Sequence, residues 1–196
     1  VATLDPNPLV AGRGITILKN AGISLSVGLL GEQARDLNKI FMHYQKHNKP
    51  FVIAKWAMSL DGETAVNGCD SKQISSPESK TYTHQLRNIC DAIIVGKDTL
   101  IKDDPTLDVR VKVDVVLQPI RFVAFSVIDN IDLNWKVLKQ TISKTIFVAT
   151  EIIPTVRKQL DELNIDVWII NKNQNKPCLD TLLSKMGGYG ITSLLV

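Results

Sequence analysis

No apolar stretch of the 196-residue chain approaches the roughly 18 to 20 residues needed to span a bilayer. The start of the chain lacks the succession of basic, apolar and small residues that marks a signal peptide. These absences lead us to expect a cytoplasmic protein. Cysteine is scarce: Cys69, Cys90 and Cys178 are odd in number and scattered, so neither a disulfide framework nor a C-x-x-C metal pair can be drawn. We expect them to be buried structural thiols. Basic blocks are also missing. The 23 Lys and Arg are interspersed with 20 Asp and Glu for a net charge of +3, and no cluster would track a nucleic-acid backbone. The three histidines, His43, His47 and His84, fall on helical or linker text without partner spacing, and we assign them no metal or catalytic role. No internal repeat is visible.

What is present is an ordinary globular composition, 44% hydrophobic and 22% charged, at a length that suits one domain with an appendage. The first 14 residues are rich in Pro, Gly and Asn and predict a loop, because each residue before proline is pushed out of the helical region. A short helix follows over 15–21, closed by Gly22, and then a brief strand over 23–28. Between Glu32 and Gln45 the apolar residues Ala34, Leu37, Ile40, Phe41 and Tyr44 recur at helical spacing, which predicts one amphipathic helix. We place a domain boundary in the polar stretch ending at Lys49-Pro50.

After Pro50, apolar runs of strand length alternate with helical segments. That pattern predicts an α/β domain with a largely parallel central sheet and flanking helices. The expected strands cover 51–57, 92–95, 120–125, 144–149, 166–170 and 192–196. Ser76-Pro77-Glu78 starts a helix with a capping serine, a proline at the first position and an acid in the first turn. Pro154 opens another helix, and a third runs from Leu179 to Met186 and stops at Gly187-Gly188. The text from Lys102 to Gln118 reads as loop or short strand.

In open α/β sheets ligands bind beyond the carboxyl ends of the strands, so the segments that follow each strand are the first place to look for chemistry. Met58 to Ala65 holds the tight turn Asp61-Gly62, followed by the polar cluster Asp70-Ser71-Lys72-Gln73. Gly96 to Leu100 combines a glycine that permits close backbone approach with the hydroxyl of Thr99. Asp103-Asp104-Pro105-Thr106-Leu107 with Arg110 gathers acids, a hydroxyl and a guanidinium in one loop. Ser126 follows the third strand, and Arg87 near a helix end could direct a fork of donors at a phosphate. Each has a plainer explanation: a common turn for Asp61-Gly62, caps for Ser71 and Thr99, a solvated charge for Arg87. Only the joint pattern separates them from that background.

As an ordered set these segments, with Lys49 to Val52, Ala57 to Gly62, Ser71 to Pro77 and Gln118 to Arg121, resemble the reductase half of the bifunctional riboflavin-biosynthesis deaminase/reductase. Asp5 to Gly14 resembles the end of that enzyme's deaminase domain. The resemblance implies a three-layer fold of the dihydrofolate-reductase kind over residues 49–196, with 1–48 a remnant of the deaminase domain plus a linking helix. It implies NADPH-dependent reduction of 5-amino-6-(5-phosphoribosylamino)uracil at its ribosyl group. Substrate contacts are implied at Ser71, Arg87, Thr106, Leu107 and Arg110, and cofactor contacts at Ala57, Thr99, Asp103 and Ser126. Lys72 and Asp103 are the ionisable groups expected to serve the proton side of the reaction.

The deaminase signatures H-x-E and P-C-x-x-C are absent, so zinc and deamination are not expected here. The sequence departs from the family at Gln73, where tryptophan is frequent, and at Phe125, where an acid is usual. It also ends at Val196, where the family continues into a glycine-rich loop, so we expect the reductase domain to be incomplete and to leave a sheet edge open to pairing. The family commonly forms homodimers. No membrane or nucleic-acid partner is expected. Two other readings fit the same residues: a dihydrofolate or pterin reductase, and a non-catalytic nucleotide-binding fragment.

Overall fold

A computed structural model describes residues 1–64, 74–111, 114–139 and 141–196. Among the described residues the helices are α1 (Arg13–Asn20), α2 (Gly31–Leu37), α3 (Lys39–His47), α4 (Pro77–Ile89), α5 (Lys97–Asp103), α6 (Lys136–Lys139), α7 (Pro154–Glu162) and α8 (Leu179–Gly188). The strands are β1 (Phe51–Ile53), β2 (Ala92–Gly96), β3 (Ile120–Ala124), β4 (Val127–Ile128), β5 (Thr145–Ala149), β6 (Glu151–Ile152), β7 (Asp166–Ile169), β8 (Lys172–Asn173), β9 (Lys176–Pro177) and β10 (Ser193–Leu195).

Six strands form the central sheet in the order β1-β10-β2-β3-β5-β7. Neighbours from β10 to β7 run parallel: Ala92 lies opposite both Leu194 and Ile120, and Phe147 opposite both Val123 and Val167. At β1, the Val196 N–H donates to the Ile53 carbonyl and the Lys55 N–H to the Val196 carbonyl, each at 2.9 Å, which is the slanted pattern of a parallel pair. Such strands are covered on both faces and carry near-continuous apolar runs, and all five residues of β5 are buried. Alternation along the strands sends their side chains to opposite faces. Val123 and Phe147 join Leu100, Val137 and Leu160 in one core cluster, whereas Phe122 meets the Trp168 ring edge-on at 5.2 Å. The layered α/β architecture of the dihydrofolate-reductase kind is thus present.

The helix starts follow local chemistry. At α4 the Ser76 hydroxyl accepts the Ser79 N–H at 3.3 Å and Pro77 takes the first helical position; Pro154 does the same for α7. Both use positions whose N–H groups have no partner within the helix.

Chain contacts divide the molecule into two compact units, Val1–Phe51 with Leu183–Thr192, and Val52–Leu182 with Ser193–Val196. Two expectations are corrected in the first unit. Residues 23–28 form no strand, because an extended segment becomes one only where a neighbour completes its ladder. The single helix expected from Glu32 to Gln45 is two, broken at Asn38, whose side-chain amide donates to the Ala34 carbonyl at 2.8 Å and so competes with the helical backbone.

The last helix, α8, ends with the Gly187-Gly188 pair, as the sequence leads us to expect. A Cβ on Gly187 would sit 1.9 Å from the Asn48 carbonyl oxygen, and the Tyr44 hydroxyl donates to the Gly187 carbonyl at 2.9 Å. Gly187 thus also permits close approach of two backbones. No helix among the described residues is long and apolar enough to cross a membrane.

Candidate functional site

Within the second unit, a cleft of about 930 Å³ opens beyond the carboxyl ends of β2 and β3. Its floor is the turn from β2 into α5, Gly96 to Thr99, and the end of β3, Ala124 to Val127. Its outer wall is the β8–β9 hairpin with the start of α8. Gln174 and Asn175 make the hairpin turn with positive φ of 48° and 63°, the geometry that matches the twist of a two-residue hairpin. The cleft is amphipathic. Lys97 pairs with Asp129 at 3.3 Å across its rim, Lys176 adds a second ammonium, and Thr99 and Ser126 offer exposed hydroxyls. An added Cβ at Gly96 would meet nothing within 4 Å, so the backbone there borders open space.

Of the four residues expected at the cofactor, Thr99 and Ser126 line this cleft together and Ala57 and Asp103 do not. Asp103 is the exposed last residue of α5. Phe125, where an acid was expected from the family, is 2% exposed and packs on Phe147 with ring centroids 5.0 Å apart. Its side chain serves the core while its neighbours face the cleft. Cys178 is not the buried thiol we expected: it lines the cleft, and hydrogen bonds from the Thr181 side chain and backbone hold its thiol below the usual value. Cys90 fits the expectation, with burial pushing its thiol up to about 11.

A second constellation surrounds the segment Thr106 to Arg110. Arg87 donates from Nη1 to the Asp108 carbonyl at 3.0 Å, and its buried Nε has no hydrogen-bond partner among the described residues. The Asp108 carboxylate accepts the Thr106 hydroxyl and pairs with Arg110 Nε at 3.3 Å. The Arg110 N–H donates to His84 Nδ1 at 3.1 Å. Three of the residues expected at the substrate, Arg87, Thr106 and Arg110, are therefore gathered around one aspartate. Leu107 lies between them with φ of 54° and only 2% exposure. Its side chain belongs to the core, so any ligand contact there would come from the main chain. Ser71, Lys72 and Gln73 lie outside the described residues.

The two places share no lining residue. The cleft lies past the end of β3, whereas the Thr106–Arg110 segment is tied near its start, through Arg121 Nη1 to the Thr106 carbonyl at 3.3 Å and through a two-way bond between Gln118 and the Val109 backbone at 2.9 and 3.1 Å. Among the described residues no group of three or more His, Cys, Asp or Glu could hold a metal ion.

Residues 50–196 match the family described as the RibD C-terminal domain. The chain belongs to that family. It is 39% identical over 196 residues to the riboflavin biosynthesis protein RibD of Aquifex aeolicus, covering 100% of this chain and 53% of the relative. It superposes on the diaminohydroxyphosphoribosylaminopyrimidine deaminase/5-amino-6-(5-phosphoribosylamino)uracil reductase of Thermotoga maritima with a TM-score of 0.77 and 26% identity, covering 100% of this chain and 52% of that one. Against the riboflavin biosynthesis reductase of Saccharomyces cerevisiae the TM-score is 0.57 at 25% identity, with 82% of this chain and 71% of that one covered. The chain spans about half the length of the curated relatives it matches.

Sequence reasoning passed over several residues of this RibD C-terminal domain. His84 was set aside for lack of a spaced partner, yet its partners Arg87 and Arg110 come one from its own helix and one from a loop 26 positions on. Asp108 reads as one more polar loop residue. The one signal available was its place between Thr106 and Arg110 in a single loop. The hairpin at 172–177 gave no signal that it would close a cleft.

Proposed function

We propose that the chain is an oxidoreductase that reduces the ribosyl group of 5-amino-6-(5-phosphoribosylamino)uracil at the expense of NADPH. The observation that carries this reading is the cleft at the carboxyl ends of β2 and β3, with Thr99 and Ser126 facing into it. It lies where open α/β sheets bind nucleotides, and its volume is at the upper end of the range for small-molecule sites. The membership of the RibD C-terminal domain family and the names of the matched reductases support the same activity. We read residues 49–196 as the reductase domain and 1–48 as belonging to the deaminase side of the longer relatives.

The cleft offers two ammonium groups, Lys176 and the Asp129-paired Lys97, together with the carboxylates of Asp98 and Asp180. Lys97 and Lys176 would meet phosphate charge, the Thr99 and Ser126 hydroxyls would bond ribose or phosphate oxygens, and the hairpin with Leu179 and Leu182 of α8 would cover a base. When bound, NADPH supplies the hydride. The contribution of the chain is alignment and exclusion of water. Arg87 and Arg110 would hold the 5-phosphate of the substrate, an anion that planar guanidinium donors suit. Lys72 and Asp103 remain the proposed groups for the proton.

The test is calorimetric titration of the chain with NADPH and with NADH, followed by turnover with the phosphoribosyl substrate and, as control, with dihydrofolate. We expect NADPH to bind more tightly than NADH, Thr99→Val and Ser126→Ala to weaken it, and NADPH to be oxidised only with the phosphoribosyl substrate. Wild-type NADPH affinity in both variants would remove the cleft as the cofactor site, and turnover of dihydrofolate would replace the substrate.

A further inference from the structure

We propose that Asp108 is a positioning residue that aims Arg87 and Arg110 at an anionic group of the substrate. This rests on the reading above that the two arginines receive a phosphate. Asp108 is 7% exposed, yet it is the common partner of all three side chains expected at the substrate that the structure describes with polar groups. Its carboxylate accepts the Thr106 hydroxyl and pairs with Arg110 Nε, and its carbonyl accepts Arg87 Nη1 at 3.0 Å.

The geometry divides the Arg110 guanidinium into a held side and an offered side. On Arg110 the Nε edge faces Asp108, and the side chain remains 65% exposed, so the two terminal nitrogens are left for a ligand. An arginine free to rotate must give up side-chain freedom when it binds, whereas one already fixed loses less, and that difference appears as affinity. The segment that carries Asp108 is itself anchored on both flanks. Arg121 holds the Thr106 carbonyl, Gln118 holds both backbone groups of Val109, and His84 accepts the Arg110 N–H. The buried carboxylate placed there is a fixed reference for Arg110, and the main-chain carbonyl of the same residue is one for Arg87.

A bare charge argument gives the opposite sign. Asp108 lowers the positive potential of the cluster, so if charge alone mattered, Asp108→Asn would bind phosphate more tightly. If positioning dominates, the same change weakens binding. Asparagine keeps the shape and an acceptor for Thr106 but loses the ion pair with Arg110.

The experiment follows the arginine Nε–H signals by NMR in the NADPH-supplemented chain, titrated with ribose 5-phosphate and with ribose. In the wild type the Arg87 and Arg110 signals should move with the phosphate and not with ribose. In Asp108→Asn the Arg110 signal should lose its protection from exchange, and ribose 5-phosphate affinity should fall by about tenfold, the scale of a lost pre-organising contact. The KM for the phosphoribosyl substrate should rise with kcat little changed. Unchanged or tighter phosphate binding in the variant overturns the proposal and leaves the arginine site intact. A wild type that does not distinguish the two sugars overturns the arginine site and the proposal together. Should Asp108→Asn fail to fold, Thr106→Val removes the second donor to the same carboxylate and must weaken phosphate binding in the same direction; wild-type affinity there also counts against it.

Discussion

The backbone N–H of Arg110 donates to Nδ1 of His84 at 3.1 Å, which ties the ring to a nitrogen that can accept only while it is unprotonated. Burial is the main cause that holds the His84 imidazole below its ordinary value, and the Arg87 and Arg110 charges push the same way against Asp108. The folded chain therefore binds this proton less readily than the unfolded chain does. As pH falls below about 6.5, the ordinary imidazole value, the unfolded state takes up more protons and stability declines. The contribution is fully present above that value and is lost toward the lower folded value. His84→Gln should flatten this part of the stability curve, which urea melts between pH 7 and pH 5 would register; an unchanged slope would separate His84 from the effect.

Phe125 sits in the strand end that feeds the cleft, but its ring is fixed by Phe147 and by Trp135 at 6.5 Å. Phe125→Ala should cost about 3–5 kcal/mol, the usual penalty for emptying a buried aromatic site. Denaturant unfolding measures it directly. A loss under 1 kcal/mol would mean the site collapses easily, contrary to its 2% exposure.

Gly187→Ala tests whether the backbone contact explains the glycine. In an unencumbered helix alanine stabilises by up to about 1 kcal/mol relative to glycine. Here the added carbon would meet the Asn48 carbonyl oxygen at 1.9 Å, so we expect the sign to reverse, with about 1–3 kcal/mol lost as in other overpacked sites. A rise in melting temperature would show that Asn48 moves aside freely.

Thiol labelling should separate the two described cysteines. The Cys178 thiol is held below its usual value by Thr181, and Cys90 is raised to about 11 by burial and by Asp91. Since the thiolate is the nucleophile, a maleimide near pH 7 should modify Cys178 first, and NADPH should slow that reaction if it occupies the cleft. Equal rates at both residues would contradict the environments described, and labelling unaffected by saturating NADPH would place the cofactor elsewhere.

Much of the scaffold was legible in the chain because its signals are local. Ser76-Pro77 and Pro154 start helices through their own capping and φ preferences, and the largely apolar runs at 92–96, 120–124 and 145–149 become parallel strands. Thr99 and Ser126 were legible as cleft residues for a related reason: each lies within three residues of the carboxyl end of a strand, where ligands bind in open α/β sheets. Asn38 was not legible as a helix break, since its neighbours keep the helical period on both sides.

What the sequence determined alone was the alternation of strands and helices and the membership of residue types at strand ends. The tertiary structure decided which of those residues meet. Gly187 is set against Asn48 only in the folded chain, Cys178 reads as core until the hairpin turns it toward the cleft, and Asp108 gains Arg87 from a helix 21 positions away. For Gly187 with Asn48 and for Arg87 with Asp108 the deciding interaction lies between segments far apart along the chain, where local preference carries no information and only packing selects the neighbour.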